Sequence, residues 1–201
     1  MDASEIELKN PEWNRQLQLL VEKIGKELGC VGKNIEAKLY KLLLYTTGGH
    51  FLKHKDTERV SNMFGTLIIQ LPSVYAGGEL IVYNGKSKTV FDFGQKSGKS
   101  QYYMHYAAHY ADLEHEILTV TNGYRLVLTY NLCWTHAQIS YPRNENRIST
   151  LKYLLKKFNE ENSRETLAIL LEHEYTEKSF SSSGVKALKG IDSTRFNLLS
   201  E

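Results

Sequence analysis

The chain has 201 residues, of which 41% are hydrophobic and 24% are charged, a composition that suits one globular domain with a hydrophobic core. A formal net charge of +2 is too small to indicate a nucleic acid or a membrane surface as the partner. The first residues are acidic rather than basic, no apolar run is long enough to cross a bilayer, and Cys30 and Cys133 form no C-x-x-C motif. We therefore expect an intracellular protein, cytoplasmic or nuclear, that binds neither nucleic acid nor membrane.

An amphipathic helix is predicted near the N-terminus. Asn10-Pro11-Glu12 combines a capping amide, a proline suited to the first helical turn and an acid near the positive end of the helix dipole. Apolar residues then recur at helical spacing as far as Leu28, and Gly29 is a suitable stop. We assign residues 1–34 to a helical support for the rest of the chain.

The middle of the chain, residues 35–135, has the texture of a β domain. Asn84-Gly85 and Asn122-Gly123 are dipeptides typical of hairpin turns. Short apolar and aromatic runs at regular spacing are typical of a sandwich or barrel, and a double-sheet jelly roll is one such fold. The predicted strands cover residues 39–45, 66–71, 80–83, 89–93, 117–121 and 125–132.

The remaining residues, 136–201, are predicted to form a helical or mixed extension packed on the β core. An apolar stripe among lysines predicts a helix over 148–158. Periodicity does not decide between helix and strand for 166–175. The run Ser181-Ser182-Ser183-Gly184 predicts a flexible loop.

A metal site is suggested first by His54 and Asp56. Two residues that are two apart on an extended chain point to the same side, so an imidazole and a carboxylate can meet one metal ion. A second histidine from a distant strand would complete three ligands on one face of an octahedron, the arrangement of non-haem iron(II) oxygenases. His115, at the start of a predicted strand, is the candidate for that third ligand.

Arg125 follows His115 by one predicted turn and opens the strand 125–132. On that strand Arg125, Val127, Thr129 and Asn131 share one face. An arginine on the inner face is costly to bury without an anion, and a carboxylate paired in two-pronged fashion with the guanidinium offsets that cost. The far carboxylate of a keto acid would be such an anion.

The motifs between residues 40 and 132 resemble the prolyl 4-hydroxylase-like branch of the 2-oxoglutarate/iron(II) dioxygenases. Four motifs carry the resemblance, together about half the chain: F-x-x-H-x-D-T-x-R at 51–59, G-T-L-I-I-Q-L-P at 65–72, G-G-E-L at 77–80, and D-L-E-H-E-I-L-T-V-T-N-G-Y-R-L-V-L-T-Y-N-L at 112–132. The tail motifs at 171–176 and 188–192 resemble an extension that accompanies this core in fungal and plant relatives. The resemblance implies a mainly β fold with flanking helices, a double-stranded β-helix or distorted jelly roll.

The resemblance also implies roles for individual residues. His54, Asp56 and His115 match the iron ligands, and Arg125 matches the basic residue that pairs with 2-oxoglutarate. Tyr45 matches a tyrosine that often hydrogen-bonds the same carboxylate, and Thr121 is a further candidate for that contact. The implied cofactors are Fe(II), 2-oxoglutarate as cosubstrate and dioxygen, with ascorbate as a reductant. The implied reaction is hydroxylation of an unactivated C–H bond, because halogenating relatives lack the carboxylate that Asp56 supplies.

Four further residues are considered for substrate contact. Thr57 and Arg59 either brace the iron loop or face the substrate, and the sequence does not distinguish these two roles. His105 and His109 lie in an aromatic stretch on a strand that should run beside the iron, so one of them could face the substrate. The substrate itself is left open: a prolyl residue of a protein or peptide, another side chain or a small molecule.

Two other functions fit the same triad. Two histidines and a carboxylate can hold zinc in a hydrolase, although an arginine at the keto-acid position argues against it. A catalytically silent metal-binding module of the same fold is the other alternative. Oxygen consumption coupled to succinate formation separates all three.

Overall fold

The computed structural model describes residues 1–30, 34–135, 153–158, 160 and 168–200. They belong to two compact units, one made of residues 1–24 with 35–135 and the other of residues 25–34 with 136–201. Among the described helices, none combines the length and the apolar character that a membrane crossing requires.

The N-terminal helix begins where the sequence predicts. After a short 3-10 helix at Ala3–Glu5, helix α1 covers Trp13–Glu27. Asn10 lies in the turn just before it, where its side-chain oxygen accepts from the backbone N–H of Glu12 at 3.0 Å. Gly29 follows the helix with a φ of 71°, the left-handed conformation that commonly ends helices.

Two four-stranded antiparallel sheets form the first unit. The first sheet has the order β1-β10-β3-β7, and the second has the order β2-β8-β5-β6. With the small β4-β9 pair set aside, this is the strand order of an eight-stranded jelly roll, so the predicted fold class is confirmed. The first sheet consists of β1 (Ile35–Tyr45), β3 (Met63–Gln70), β7 (His105–Tyr110) and β10 (Arg125–Trp134). The second consists of β2 (Phe51–His54), β5 (Leu80–Asn84), β6 (Ser87–Phe91) and β8 (His115–Ile117). The separate small pair consists of β4 (Tyr75–Gly77) and β9 (Val120–Gly123).

One of the two predicted hairpins forms and the other does not. Asn84 pairs with Ser87 across the β5–β6 turn, as Asn84-Gly85 predicts. Asn122-Gly123, by contrast, lies inside β9, which pairs with β4 rather than with β10. A Cβ on Gly123 would lie 2.2 Å from the carbonyl oxygen of Val74, so this glycine is required for close strand approach and not for a turn.

The alternation predicted for β10 determines what each face of the first sheet contacts. The inward face begins with Arg125 and Val127, which are 0% and 1% exposed. Val127 belongs to a core between the sheets that includes Ile68, Leu80, Val82, Phe93, Ala107 and Ile117. On the outward face, the hydroxyl of Tyr130 accepts a hydrogen bond of 3.0 Å from Nε1 of Trp13. Helix α1 therefore packs on the outside of the sheet.

The described part of the second unit is mainly helical near its end. Residues 153–158 are helical, as the apolar stripe predicts, whereas the stripe's earlier members lie outside the described residues. Residues 168–175 form neither helix nor strand. Helix α2 covers Glu177–Ser183, a short 3-10 helix covers Gly184–Ala187, and helix α3 covers Gly190–Ser200.

The flexible loop predicted for the three serines at 181–183 is wrong. These residues continue helix α2, whose first turn is capped by Thr176, which accepts from the backbone N–H of Ser179 at 3.1 Å. Gly184 ends that helix with a φ of 53°.

Candidate active site

Two histidines meet at the edge of the second sheet. His54 is the last residue of β2, His115 is the first residue of β8, and the two are register partners. Their ring centroids lie 4.3 Å apart. The antiparallel pairing of two short strands thus brings together residues that are far apart in the sequence.

Asp56 completes the triad from the loop that follows β2. Its backbone N–H donates to the carbonyl oxygen of Ala111 at 3.0 Å, which holds the loop against the end of β7. The Asp56 side chain is 4% exposed, and its Oδ2 lies 3.8 Å from Nε2 of His115. One ligand atom from each of His54, Asp56 and His115 lies within 4.8 Å of the other two. The three residues that the sequence singles out therefore converge on one point.

Both histidines of the triad present the same ring nitrogen toward that point. Nδ1 of His54 lies 2.7 Å from the carbonyl oxygen of Leu52, and Nδ1 of His115 lies 3.1 Å from that of Leu113. A carbonyl only accepts, so each Nδ1 carries the proton and each Nε2 keeps its lone pair. This outer hydrogen bond is the one that fixes the tautomer of metal-binding histidines.

The protonation states also suit a cation. Burial lowers the pKa of His115, although the bond to Leu113 and the nearby Asp56 oppose this, so the ring stays neutral near pH 7. Burial alone would raise the pKa of Asp56, but hydrogen bonds from Thr66 and Arg59 and the neighbouring His115 outweigh it and lower that pKa. Imidazole nitrogens and a carboxylate are a donor set that a divalent metal accepts.

His109 adds a third ring beside the two histidine ligands. Its centroid lies 4.2 Å from that of His115, it is 2% exposed, and its Nδ1 lies 3.1 Å from the carbonyl oxygen of Tyr110. Burial, together with the neighbouring His115, lowers the pKa of His109 to about 4. His109 is therefore a buried, neutral packing partner of His115, and it is not among the residues that line the cavity beside the triad.

A cavity of about 190 Å³ opens beside the triad between the two sheets. Its walls combine the triad with aromatic, aliphatic and cationic side chains: Tyr40, Lys41, Leu43, Tyr45, Phe51, Arg59, Thr66, Ile68, Ile117 and Thr129. Tyr45 belongs to this wall, and it is also the register partner of Arg125. The cavity thus extends from the triad toward the start of β10.

Arg125 is a fully buried cation. Its side chain is 0% exposed, and none of its three guanidinium nitrogens has a hydrogen-bond partner among the described residues. Aromatic rings surround it: Cζ lies 4.8 Å from the ring centroid of Phe93, 5.4 Å from that of Tyr45 and 5.9 Å from that of Tyr75. Burial lowers its pKa, with the two tyrosines opposing this. A buried cation with no anion is strongly unfavourable, so Arg125 is a candidate binding position for an anion.

Tyr75 is a member of this site that the sequence did not reveal. Its hydroxyl is buried and has no hydrogen-bond partner among the described residues, and burial raises its pKa, so it stays protonated. The only hint in the sequence is its position two residues before Gly77-Gly78. A Cβ on Gly78 would lie 3.2 Å from Cδ of Arg125 and 2.8 Å from Cγ2 of Val120. The glycine pair therefore lets the β4 segment approach the arginine closely.

The other predicted site residues lie in different surroundings. Thr121 is exposed on β9 and contacts Gly77. Thr57 is exposed as well. His105 lies at the opposite end of β7 from His109, against Gly94, where a Cβ would lie 2.4 Å from its Nε2. Arg59 contacts Asp56 and lines the cavity.

No family model matches this sequence, and no curated protein is matched by it. Solved structures do show a distant likeness. A 2OG-Fe(II) oxygenase family oxidoreductase from Burkholderia pseudomallei is 20% identical with a TM-score of 0.45, over 64% of this chain and 59% of that chain. A Pseudomonas putida prolyl-4-hydroxylase is 17% identical with a TM-score of 0.41, over 63% and 65%.

A third similar structure is the viral collagen prolyl hydroxylase of Paramecium Bursaria Chlorella virus-1, solved as a 2OG complex. It is 13% identical with a TM-score of 0.45, over 65% of this chain and 77% of that chain. The matched region spans less than two thirds of the first two structures. The chain is thus similar, at a distance, to 2OG-Fe(II) oxygenases and prolyl 4-hydroxylases of known structure.

Proposed function

We propose that this chain is an Fe(II)- and 2-oxoglutarate-dependent oxygenase that hydroxylates an unactivated C–H bond. The observation that carries the proposal is the buried Arg125, whose guanidinium has no partner among the described residues. A metal triad alone fits several chemistries. A triad whose cavity reaches Tyr45, the register partner of the unpaired buried Arg125, fits a small ligand that binds the metal at one end and carries a carboxylate at the other.

Each residue has a definite task in this proposal. His54 and His115, through Nε2, and Asp56, through a carboxylate oxygen, would hold the iron, which when bound supplies the redox chemistry with dioxygen. Arg125 would bind the far carboxylate of 2-oxoglutarate with two parallel N–H donors, and the Tyr75 hydroxyl would add a third donor. Tyr45 would lie along the chain of the keto acid, between the two ends of the site. Phe51 and Ile68 would exclude water from the cavity.

The substrate class is part of the proposal. A prolyl residue of a protein or peptide is the first candidate, because the motifs between residues 51 and 132 resemble those of prolyl 4-hydroxylases. A small metabolite is the second. The two classes separate in a screen in which substrate stimulates 2-oxoglutarate consumption by the iron-loaded protein.

The decisive experiment measures oxygen consumption and succinate formation by the protein reconstituted with Fe(II) and 2-oxoglutarate. The expected result is equal amounts of oxygen consumed and succinate formed, with hydroxylated product when a substrate is present. His115→Ala should abolish turnover and weaken metal binding, while His50→Ala should change neither. His50 is a suitable control because it lies just before β2 and is exposed.

The alternatives give different outcomes in the same experiment. A zinc hydrolase would bind Zn²⁺ at the triad and hydrolyse an ester or amide without consuming oxygen. A silent module would bind metal in a His115-dependent way and form no succinate. Either result would replace the oxygenase proposal.

A further inference from the structure

Both carboxylate oxygens of Asp56 are engaged by side chains of this chain. Nη2 of Arg59 donates to Oδ1 at 2.7 Å, and Oγ1 of Thr66 donates to Oδ2 at 2.6 Å. The two donors come from different elements, Arg59 from the loop after β2 and Thr66 from the central strand β3. The carboxylate therefore cannot rotate without breaking a charge-assisted hydrogen bond.

The two oxygens are not equivalent with respect to the histidines. Oδ2 is the oxygen that lies 3.8 Å from Nε2 of His115, on the side where the ligand atoms converge. Oδ1 carries the ion pair with Arg59. In this arrangement Oδ2 is available to a metal ion, whereas Oδ1 is occupied by the ion pair.

Arg59 is itself held in place by Tyr40. The Arg59 side chain is 26% exposed, and its Cζ lies 4.6 Å above the centroid of the Tyr40 ring. Tyr40 is the extra residue in the irregular pairing of β1 with β10, between Leu39 and Lys41, and it lines the cavity. The bulge thus supplies an aromatic platform on which the guanidinium rests, so the ion pair is more than a chance surface contact.

Resting on the proposed function, we infer that Arg59 is a positioning residue that keeps Asp56 a one-oxygen metal ligand. Carboxylates bind metals through one oxygen or through both. An Asp56 that gave both oxygens would occupy one more position on the metal. The bidentate keto acid and dioxygen together need three positions besides those of His54, Asp56 and His115. Arg59 therefore determines how many coordination positions on the metal stay available to the keto acid and dioxygen.

The experiment uses Co²⁺ as an optical probe in place of iron, with the full chain and its Arg59→Gln and Arg59→Lys variants. Three quantities are measured: the affinity for Co²⁺, the visible spectrum of the Co²⁺ form before any keto acid is added, and the affinity of that form for 2-oxoglutarate. For Arg59→Gln we expect Co²⁺ affinity equal to or tighter than that of the parent and an altered Co²⁺ spectrum. We also expect 2-oxoglutarate affinity to fall roughly 10-fold, the lower end of what loss of an outer-sphere partner costs. Lysine should rescue part of both changes because it still donates to Oδ1.

Two comparison variants fix the interpretation. Arg15→Gln removes an exposed pair with Glu12 of the same sequence spacing, at 2.6 Å, and should change none of the three quantities. Thr66→Val removes the donor to the ligand oxygen itself, so its expected signature is weaker Co²⁺ binding. Far-ultraviolet circular dichroism establishes that each variant is folded.

Several outcomes would overturn the inference. Parallel loss of Co²⁺ and 2-oxoglutarate affinity in Arg59→Gln would make Arg59 a brace for the loop. Weaker 2-oxoglutarate binding with an unchanged Co²⁺ spectrum would mean that Arg59 contacts the keto acid directly. No change in any quantity would make the ion pair incidental. Failure of the parent protein to bind Co²⁺ would overturn the proposed function as well, which distinguishes the two failures.

Discussion

Tyr45 and Arg125 stand directly opposite each other in the pairing of β1 with β10, and the guanidinium carbon lies 5.4 Å from the centre of the tyrosine ring. Strand pairing therefore fixes the separation between the cavity wall and the buried cation. Tyr45 lines the cavity beside the triad, so it lies between that cavity and Arg125. The buried guanidinium is thus positioned by the sheet rather than by a loop.

Replacing Arg125 should reduce the affinity for 2-oxoglutarate in proportion to the charge and geometry lost. Losing a buried, hydrogen-bonded charge pair costs about 2–5 kcal/mol, or roughly 30-fold to several thousand-fold in affinity. Arg125→Met should show this full loss, whereas Arg125→Lys should recover part of it, because lysine supplies charge without the two-pronged geometry. The measurement is the apparent affinity for 2-oxoglutarate in the presence of iron. Parent-like affinity in both variants would move the keto-acid site elsewhere.

The Tyr75 hydroxyl should contribute to the same site by a smaller amount. Tyr75→Phe keeps the ring beside Arg125 and removes only the donor. A single hydrogen bond to a charged group contributes about 1.5–3 kcal/mol, so affinity for 2-oxoglutarate should fall roughly 10- to 150-fold. Tyr83→Phe is the matched control, since that hydroxyl bonds Glu116 outside the cavity. Equal affinities for the Tyr75→Phe variant and the parent would remove Tyr75 from the site.

The sequence was sufficient to predict the triad and the buried arginine, because both are defined by spacing along strands. His54 and Asp56 share one side of an extended segment, and Arg125 opens the strand whose inward face is Val127, Thr129 and Asn131. Tyr75 and Thr66 were missed for a different reason. Their importance lies in what they contact, Arg125 for one and Asp56 for the other, and these contacts arise only when distant strands pair. Thr66 in particular sits in an apolar run that looks like ordinary core.

Gly78 should be far less replaceable than Gly85, although both have positive φ, at 70° and 57°. Alanine at either position costs about 1–2 kcal/mol for the left-handed backbone. At Gly85 a Cβ has nothing within 4 Å, whereas at Gly78 it would crowd Val120 and Arg125. Overpacking adds about 1–3 kcal/mol, so Gly78→Ala should lower the free energy of unfolding by that much more than Gly85→Ala. Urea denaturation of the two variants measures the difference, and equal values would mean that the β4 segment shifts without strain.

Asp192 should hold the segment before helix α2 in place. It is 1% exposed, and its carboxylate accepts from the backbone N–H groups of Glu172 and His173 at 2.9 Å and 3.0 Å and from the Tyr175 hydroxyl at 2.8 Å. Asp192→Ala removes the acceptor of these hydrogen bonds, at a cost of about 1–3 kcal/mol. Hydrogen exchange at the amides of Glu172 and His173 should accelerate roughly 5- to 150-fold. Unaltered exchange would show that the segment is held by other contacts.

The same carboxylate predicts a dependence on pH. Burial alone would raise the pKa of Asp192, but the bonds from Glu172, His173 and Tyr175 lower it. A lowered pKa means that its stabilisation is complete above the ordinary value of about 3.9 and is lost as the pH falls through the lowered value. Amide protection at Glu172 and His173, corrected for intrinsic exchange, should therefore decline only below about pH 4. Asp192→Asn should show no decline in that range, and a decline identical to that of the parent would assign the effect to another acid.

The predicted hairpin at Asn122-Gly123 illustrates a limit of local sequence signals. The dipeptide is a common two-residue turn, yet here Gly123 serves the approach of β9 to Val74. The same property of glycine, freedom from a Cβ, satisfies both requirements. Only the pairing partner distinguishes them, and strand order is determined by packing over the whole unit rather than by the four residues of a turn.

The hydrogen bond between Trp13 and Tyr130 has a practical meaning for anyone who divides this protein into fragments. A fragment that begins at residue 35 would keep every strand of the jelly roll and would look complete on a topology diagram. It would nevertheless expose to solvent the face of the first sheet that carries Tyr130. It would also expose Ile69 and Tyr106, which line a groove against Trp13 and Leu17. An uncovered apolar patch of this kind favours self-association. Helix α1 should therefore be kept with the jelly roll in any fragment, and trimming should stop before residue 10.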